Sequence, residues 1–328
     1  MKIFEDKYIV LTGGAGFIGS CFLRYLNDLG FKNCIIVDDL GVCEKWKNLV
    51  GKKFIEIISP NEIFNWLIGR EKDIEAFVHL GACSSTVEKN ASFLLENNTR
   101  FSIRLAEYAL THGHRFIYAS SAATYGDGSF GFSDDVEMLE RLHPLNMYGY
   151  SKHLFDLWIK DQNLLDKVVG LKYFNIFGPN EFHKGRMASA LLKMVPDAIE
   201  KKAISLFKSS DPGEYADGEQ MRDFLYVKDA VRMTGAFLTN DKSGIYNIGM
   251  GVPHSWNQLA KAVIGAINPA IHIEYIDMPK DLIGKYQNYT AASMQKFFEA
   301  VPDFEFLFSF EGAVADYVQN YLIPQKSW

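Results

Sequence analysis

The chain has 328 residues, 48% of them hydrophobic and 23% charged, with a formal net charge of -6. That is enough apolar material for one large core or two unequal ones, while the acidic balance and the lack of a long basic run exclude a nucleic-acid partner on electrostatic grounds. The four cysteines, Cys21, Cys34, Cys43 and Cys83, make no CxxC pair and no zinc-like spacing, so reduced thiols in a cytoplasmic protein are expected.

Before the first glycines the only apolar run is Tyr8–Leu11, too short and wrongly flanked for a signal peptide. No segment approaches the ~18–20 apolar residues of a membrane span, so neither export nor a membrane partner is expected. In chain order, apolar runs predict buried strands at Tyr8–Thr12, Cys34–Val37, Ala76–Leu80, Phe116–Ala119 and Val168–Tyr173. Helix-period segments such as Ile18–Leu29 and Phe93–Leu110 lie between them. This alternation implies an α/β fold with a doubly wound parallel sheet, the Rossmann arrangement.

After Asn175 the rhythm changes. Gly178-Pro179 punctuates the chain, Met187–Lys201 reads as a helix, and Ser210–Gln220 is a polar loop rich in Gly, Asp and Glu. Short strands at Phe224–Val227 and Ile245–Ile248 and a helix near Phe310–Tyr321 return to the first domain. The expected division is a dinucleotide-binding domain, residues 1–175 plus 223–253 and 303–328, and a smaller α/β substrate domain, residues 176–222 plus 254–302.

Two constellations carry chemistry. Thr12-Gly13-Gly14-Ala15-Gly16-Phe17-Ile18-Gly19 falls between the first strand and first helix, where Gly13, Gly16 and Gly19 permit a tight turn and close approach of backbone N–H groups to a pyrophosphate. About 20 residues on, the second strand ends at Asp38, beside Asp39, where a carboxylate can accept a hydrogen bond from a ribose. The second is Tyr148 and Lys152, spaced to share one helical face. An ammonium beside a phenol is expected to favour the phenolate, readying Tyr148 for proton exchange with an alcohol. Upstream, Ala119–Gly126 places Ser121 or Thr124 at the carboxyl edge of the fourth predicted strand.

In this order, the glycine turn, Ser-bearing strand end and Tyr-x-x-x-Lys resemble the extended short-chain dehydrogenase/reductase superfamily. More narrowly, His79-Leu80-Gly81-Ala82-Cys83-Ser84-Ser85-Thr86, Asn146–Asp156, Lys172–Pro179, His183–Ser189 and Arg222-Asp223-Phe224 resemble the ADP-L-glycero-D-manno-heptose 6-epimerase family, from the N-terminus to about Tyr317. Two departures from that pattern stand out: Leu80 occupies a position where the family has an acid, and Asp211–Glu219 reads as an insertion.

The resemblance implies epimerisation by hydride removal to a tightly held nicotinamide, a ketone that turns over, and hydride return to the opposite face, with no metal. Two acid/base groups are implied, mapping to Tyr148 and Lys184, with Lys152 on the nicotinamide ribose and Ser121 on the reacting oxygen. Phe17, Ile18, Asn97 and Ile176 are implied to contact the cofactor, as are Tyr148, Lys152 and Lys184. Gly81, Ala82, Cys83, Ser84 and Asn175 would touch the ADP-sugar substrate, Arg186, Lys193 and Arg222 its diphosphate, and Phe207, Lys208, Ser209, Ser210 and Tyr286 its nucleotide end. Asp38 alone favours NAD. The family pattern of a following lysine, here Lys45, points to NADP, with NAD as the alternative. A homo-oligomer, a pentamer, is also implied. Two alternatives stay open. A hexose 4-epimerase or 4,6-dehydratase would keep Tyr148 and Lys152 without needing His183-Lys184-Gly185, and a dinucleotide-sensing protein would normally lack the Tyr/Lys pair.

Overall fold

The structure is a computed structural model describing residues 6–279 and 287–328. Six strands, β1 (Tyr8–Thr12), β2 (Cys34–Val37), β3 (Glu56–Ile58), β4 (Ile74–His79), β5 (Arg115–Ser121) and β6 (Val168–Tyr173), join a seventh, Gly244–Ile248, in one sheet. The spatial order is seventh, β6, β5, β4, β1, β2, β3, with every pair parallel. Along β1, Ile9 and Leu11 enter one buried cluster and Val10 the other. With apolar packing on both faces, the strand sequence cannot alternate with polar residues and reads as a continuous apolar run.

The chain moves outward from β1 in one direction through β2 and β3, then crosses back to β4 on the other side. The carboxyl ends of β1 and β4 therefore diverge around a crevice, the place where open α/β sheets bind ligands. Among the described residues, no helix is long and apolar enough to cross a membrane.

Three short pairings lie outside the main sheet. Asn175–Phe177 runs parallel to Phe224–Tyr226, Ala203–Phe207 parallel to His272–Ile276, and Met221–Arg222 antiparallel to His254–Ser255. The segment predicted as one helix over Phe93–Leu110 is Ala91–Leu94, a π-helical turn at Leu95–Arg100, and Phe101–Thr111. The helix expected from Met187 begins at Ala190 instead, because Phe182–Met187 is a short 3-10 turn broken at Gly185, φ 52°. The terminal helix likewise leaves the α form at Tyr317 and continues as a π turn over Val318–Leu322.

A buried ion pair pins the middle of the sheet to the helix Met147–Asp161. The Lys172 ammonium, on β6, lies 2.6 Å from Asp156 Oδ2, and both side chains are fully buried. Lys172 also donates to Thr124 Oγ1 at 2.7 Å, while Tyr118 OH and Ser120 Oγ donate to the Asp156 carboxylate at 3.0 and 2.7 Å. Removing one charge strands the other in the interior. Asp156→Asn is therefore expected to cost about 3–5 kcal/mol, read as a lower midpoint in urea unfolding with the m-value unchanged.

Candidate active site

The turn after β1 is shaped by what a side chain would strike. A Cβ on Gly13, at φ 68°, would sit 2.6 Å from the Gly81 backbone, and one on Gly19 would run into the Gly13 carbonyl. Gly16 N-caps the helix Phe17–Asp28 without any side-chain cap. First-turn N–H groups are thus left facing the crevice, as an anion site requires. At the end of β2, Asp38 Oδ2 accepts from the Ala15 N–H at 2.8 Å and Oδ1 from the Lys45 ammonium at 2.7 Å. A side-chain-free cradle with a carboxylate and a lysine at its rim fits the pyrophosphate and ribose of a dinucleotide.

Asn48, buried and absent from the residues singled out by sequence, ties this cradle to a distant loop. Its amide nitrogen donates to the carbonyls of Ala15 and Asn180, both at 3.0 Å, and meets His183 Nδ1 at 3.2 Å. Burial, with Lys45 and Lys184 nearby, depresses His183 to about 4, so the ring is neutral.

A second buried chain joins the cradle to the Tyr148 helix. The Gly81 N–H donates to Thr12 Oγ1 at 3.0 Å, and that hydroxyl meets His79 Nδ1 at 2.6 Å. His79 Nε2 lies 2.7 Å from Ser102 Oγ, which donates to the Asn98 carbonyl. Burial drives His79 down to about 3. With Ser102 donating onward, Nε2 carries the proton and Nδ1 accepts. The π turn aims the Asn98 side chain into the gap beyond. It accepts from Cys83 N at 2.9 Å and donates to Cys83 O and Ser151 Oγ, both at 3.0 Å. Ser151 Oγ donates to the Tyr148 carbonyl at 2.7 Å.

The helix bearing Tyr148 starts at an Asn146 side-chain cap, which receives the Gly149 N–H at 2.9 Å. Gly149 is required there, since a Cβ would come 2.7 Å from the Ala123 carbonyl. Tyr148, Lys152 and Ser121 converge on one cavity of about 630 Å³, also lined by Gly13, Gly16, Phe17, Ile18, Gly19, Asp38, Lys45, Gly81, Ala82, Ser84, Asn175, Ile176 and Lys184. The loop carrying Lys184 follows β6, and its ammonium rests 5.1 Å from the Phe17 ring centroid.

Residues 9–249 match the NAD dependent epimerase/dehydratase family. The chain belongs to that family. It is 47% identical over 316 residues, 95% of this chain and 97% of the relative, to an ADP-L-glycero-D-manno-heptose-6-epimerase of Nitratidesulfovibrio vulgaris (strain DP4). A Fusobacterium nucleatum protein of the same name is 44% identical, covering 98% of this chain and 99% of the relative. The crystal structure of the Helicobacter pylori ADP-L-glycero-D-manno-heptose-6-epimerase superposes with a TM-score of 0.80 at 28% identity, covering 96% of each chain. A nicotinamide dinucleotide is accordingly the cofactor of this enzyme class, and a nucleotide sugar its substrate.

The electrostatics of the family's Tyr/Lys pair differ from the expectation drawn from spacing. Burial, with a smaller contribution from Cys83, holds Tyr148 above its usual value, against a lowering hydrogen bond with Ser121. The Lys152 ammonium does not offset this. It donates to the Ala119 carbonyl at 2.9 Å, and burial depresses it to about 8 despite the Asp156 charge. Tyr148 is therefore a neutral phenol in the unliganded protein.

Other singled-out residues lie elsewhere. Asn97 donates to Asn98 at 2.9 Å, and Asp39 is an exposed turn residue accepting from Gly41 N at 3.0 Å. Arg186 is exposed, with Lys193 donating to its carbonyl at 3.3 Å. Lys208 pairs with Asp277 at 2.9 Å, Ser209 N donates to Asp217 at 2.8 Å, Ser210 is exposed and Phe207 ends its strand. Arg222 is buried, donating to the carbonyls of Met221 and Gln287, 5.9 Å from the cavity-lining Trp256 ring. Tyr286 lies outside the described residues. Asn98→Ala frees the Gly81–Cys83 segment from the helix bearing Tyr148 and leaves the Cys83 N–H and C=O without their buried partner. It is expected to lower kcat/KM by about tenfold or more and to cost about 1–3 kcal/mol of stability, checked by steady-state kinetics and urea unfolding.

Proposed function

We propose that this enzyme inverts carbon 6 of the heptose in ADP-glycero-manno-heptose, in the cytoplasm, as a homo-oligomer, a pentamer as the family resemblance implies. What carries the reading is the lining of one cavity by the glycine cradle, Ser121, Tyr148, Lys152 and Lys184. The substrate comes from the relatives, matched at 44–47% identity over nearly the whole chain. On this reading the dinucleotide lobe comprises residues 1–175, 223–253 and 303–328, and the substrate lobe residues 176–222 and 254–302.

When bound, the nicotinamide supplies a reversible hydride acceptor and a positive ring charge. Lys152 holds its ribose, and Ser121 bonds the reacting oxygen of the sugar. Tyr148 Oη moves the alcohol proton on one face, and Lys184 Nζ does so on the other once the ketone has turned over. Two groups suit the task, because a single fixed base serves both faces only if the sugar rotates about it. Arg186, Lys193 and Arg222 are assigned to the diphosphate and Phe207, Lys208, Ser209, Ser210 and Tyr286 to the nucleotide end. Binding there requires Lys208 to leave Asp277 and the Arg186 side chain to fold inward. Leu80 lines the cavity at the position where the family resemblance implies an acid, so one polar contact implied by that pattern is missing.

NADP is the proposed cofactor. The Lys45 ammonium lies 2.7 Å from Asp38; with a dinucleotide bound, it would neutralise the carboxylate and could meet a 2′-phosphate. Lys45→Glu is expected to weaken NADP binding far more than NAD binding in titrations of the cofactor-free enzyme. Equal weakening would leave Lys45 a surface charge.

Tyr148→Phe removes only the proton-transferring hydroxyl. Epimerisation is expected to fall by ~10²-fold or more, with fold and cofactor content retained. Product formed by the wild-type enzyme in deuterated water is expected to carry no deuterium at the inverted carbon. Deuterium there would replace hydride return by deprotonation and reprotonation.

A further inference from the structure

The loop that carries Lys184 is closed by one residue. Glu181 is fully buried, an environment a carboxylate occupies only when its oxygens are satisfied. Oε2 accepts from the Ser189 N–H at 2.6 Å, and Oε1 accepts from the Ser189 hydroxyl and, at 2.8 Å, from Tyr317 OH. The backbone of the same residue holds Lys184, whose N–H donates to the Glu181 carbonyl at 2.9 Å.

Ser189 occupies the N-cap of the helix Ala190–Lys201 yet makes no side-chain cap. Its hydroxyl is spent on Glu181, so the start of that helix is registered to the carboxylate. Tyr317, fully buried at the end of the helix Phe310–Tyr317, anchors the same carboxylate to the far side of the protein. Between these fixed ends lie Phe182–Met187, a 3-10 turn broken at Gly185, φ 52°, with none of its residues fully buried.

We propose that Glu181 is the positioning residue of Lys184: its carboxylate fastens the 181–189 loop to itself and to the C-terminal helix. This rests on Lys184 being the second acid/base group. Proton transfer is steep in geometry, and a displacement of ~1 Å can cost about 10²-fold in rate. A loop closed at both ends through a buried carboxylate limits such displacement. Glu181 and His183 are the titratable neighbours of Lys184, and Lys184, Tyr317 and Cys21 those of Glu181, with Lys52 and Lys228 beyond Cys21; burial raises the Glu181 carboxyl, against the hydrogen bonds from Ser189 and Tyr317 and the Lys184 charge.

Burial lowers the Lys184 ammonium from its usual value, and Glu181 is the charge that raises it back. Neutralising Glu181 therefore moves the Lys184-governed limb of the pH–rate profile to lower pH. A residue with a merely structural role would leave that limb in place.

The experiment uses the holoenzyme and three variants: Glu181→Gln, Tyr317→Phe and Lys184→Met. Glu181→Gln is expected to keep its dinucleotide, to lose about 10–100-fold in kcat with KM changed by less than about threefold, and to shift the Lys184 limb downward. Tyr317→Phe keeps the carboxylate charge and removes one hydrogen bond. It is expected to lower kcat severalfold with the limb unmoved, and it tests the proposal should Glu181→Gln fail to fold. Unchanged kcat in Tyr317→Phe together with a misfolded Glu181→Gln overturns the proposal, as does a folded Glu181→Gln with wild-type kcat or an unmoved limb. Lys184→Met separates the two readings. Full epimerisation by that variant removes the second-base assignment itself, whereas an impaired Lys184→Met beside a normal Glu181→Gln overturns only the positioning role.

Discussion

The buried Lys172–Asp156 pair is the constraint on which the arrangement of the site depends. Taking both charges out of water is costly, and their attraction offsets that cost only if every remaining donor and acceptor is met. Tyr118 and Ser120 from β5 must therefore close on Asp156 of the helix, while Asp156 and Thr124, from the turn beyond β5, close on Lys172 of β6. Ser121 follows Ser120 directly, and Lys152 stands one turn before Asp156. The polar knot thus sets the height at which Ser121 leaves the sheet and the rotation at which Tyr148 and Lys152 enter the cavity. An apolar core would fill the same volume without fixing either.

Burial also shifts the ionisable groups around Tyr148. Tyr148 is held neutral by burial, Lys152 is depressed to about 8 and His183 to about 4, and the Lys184 ammonium is likewise lowered. A diphosphate and a cationic nicotinamide entering this low-dielectric space would act on the phenol more strongly than they could in water, so the protonation states of the free protein are a starting point for the chemistry rather than its working condition.

Much of this was legible in the sequence wherever local pattern and tertiary role coincide. Strands β1, β2 and β6 appear at their predicted bounds because parallel strands buried on both faces are written as unbroken apolar runs. The glycine turn and the Tyr148/Lys152 spacing were equally readable, since each is set by backbone geometry within a few residues. What escaped was non-local. Glu56–Ile58 is a short edge strand with two exposed residues, too brief to carry a period. Asn48, Asn98, Asp156 and Glu181 are polar residues whose meaning comes from partners between 8 and 136 positions away. The phenol's acidity was misjudged for a related reason. Spacing of four residues shows that two side chains share a face, but not that the lysine turns to the Ala119 carbonyl.

Asn48 has a consequence for how the enzyme handles its cofactor over time. One amide group bridges the carbonyl behind the dinucleotide turn and the carbonyl that opens the Lys184 loop. Swinging that loop away from the turn breaks both bonds and uncovers a buried amide. An epimerase ends each cycle with its nicotinamide in the oxidation state in which it began, so turnover never demands that the dinucleotide leave. An architecture that couples the dinucleotide turn to the Lys184 loop would be a handicap in a dehydrogenase, which must exchange its dinucleotide every cycle. It suits an enzyme whose dinucleotide can stay in place from one cycle to the next.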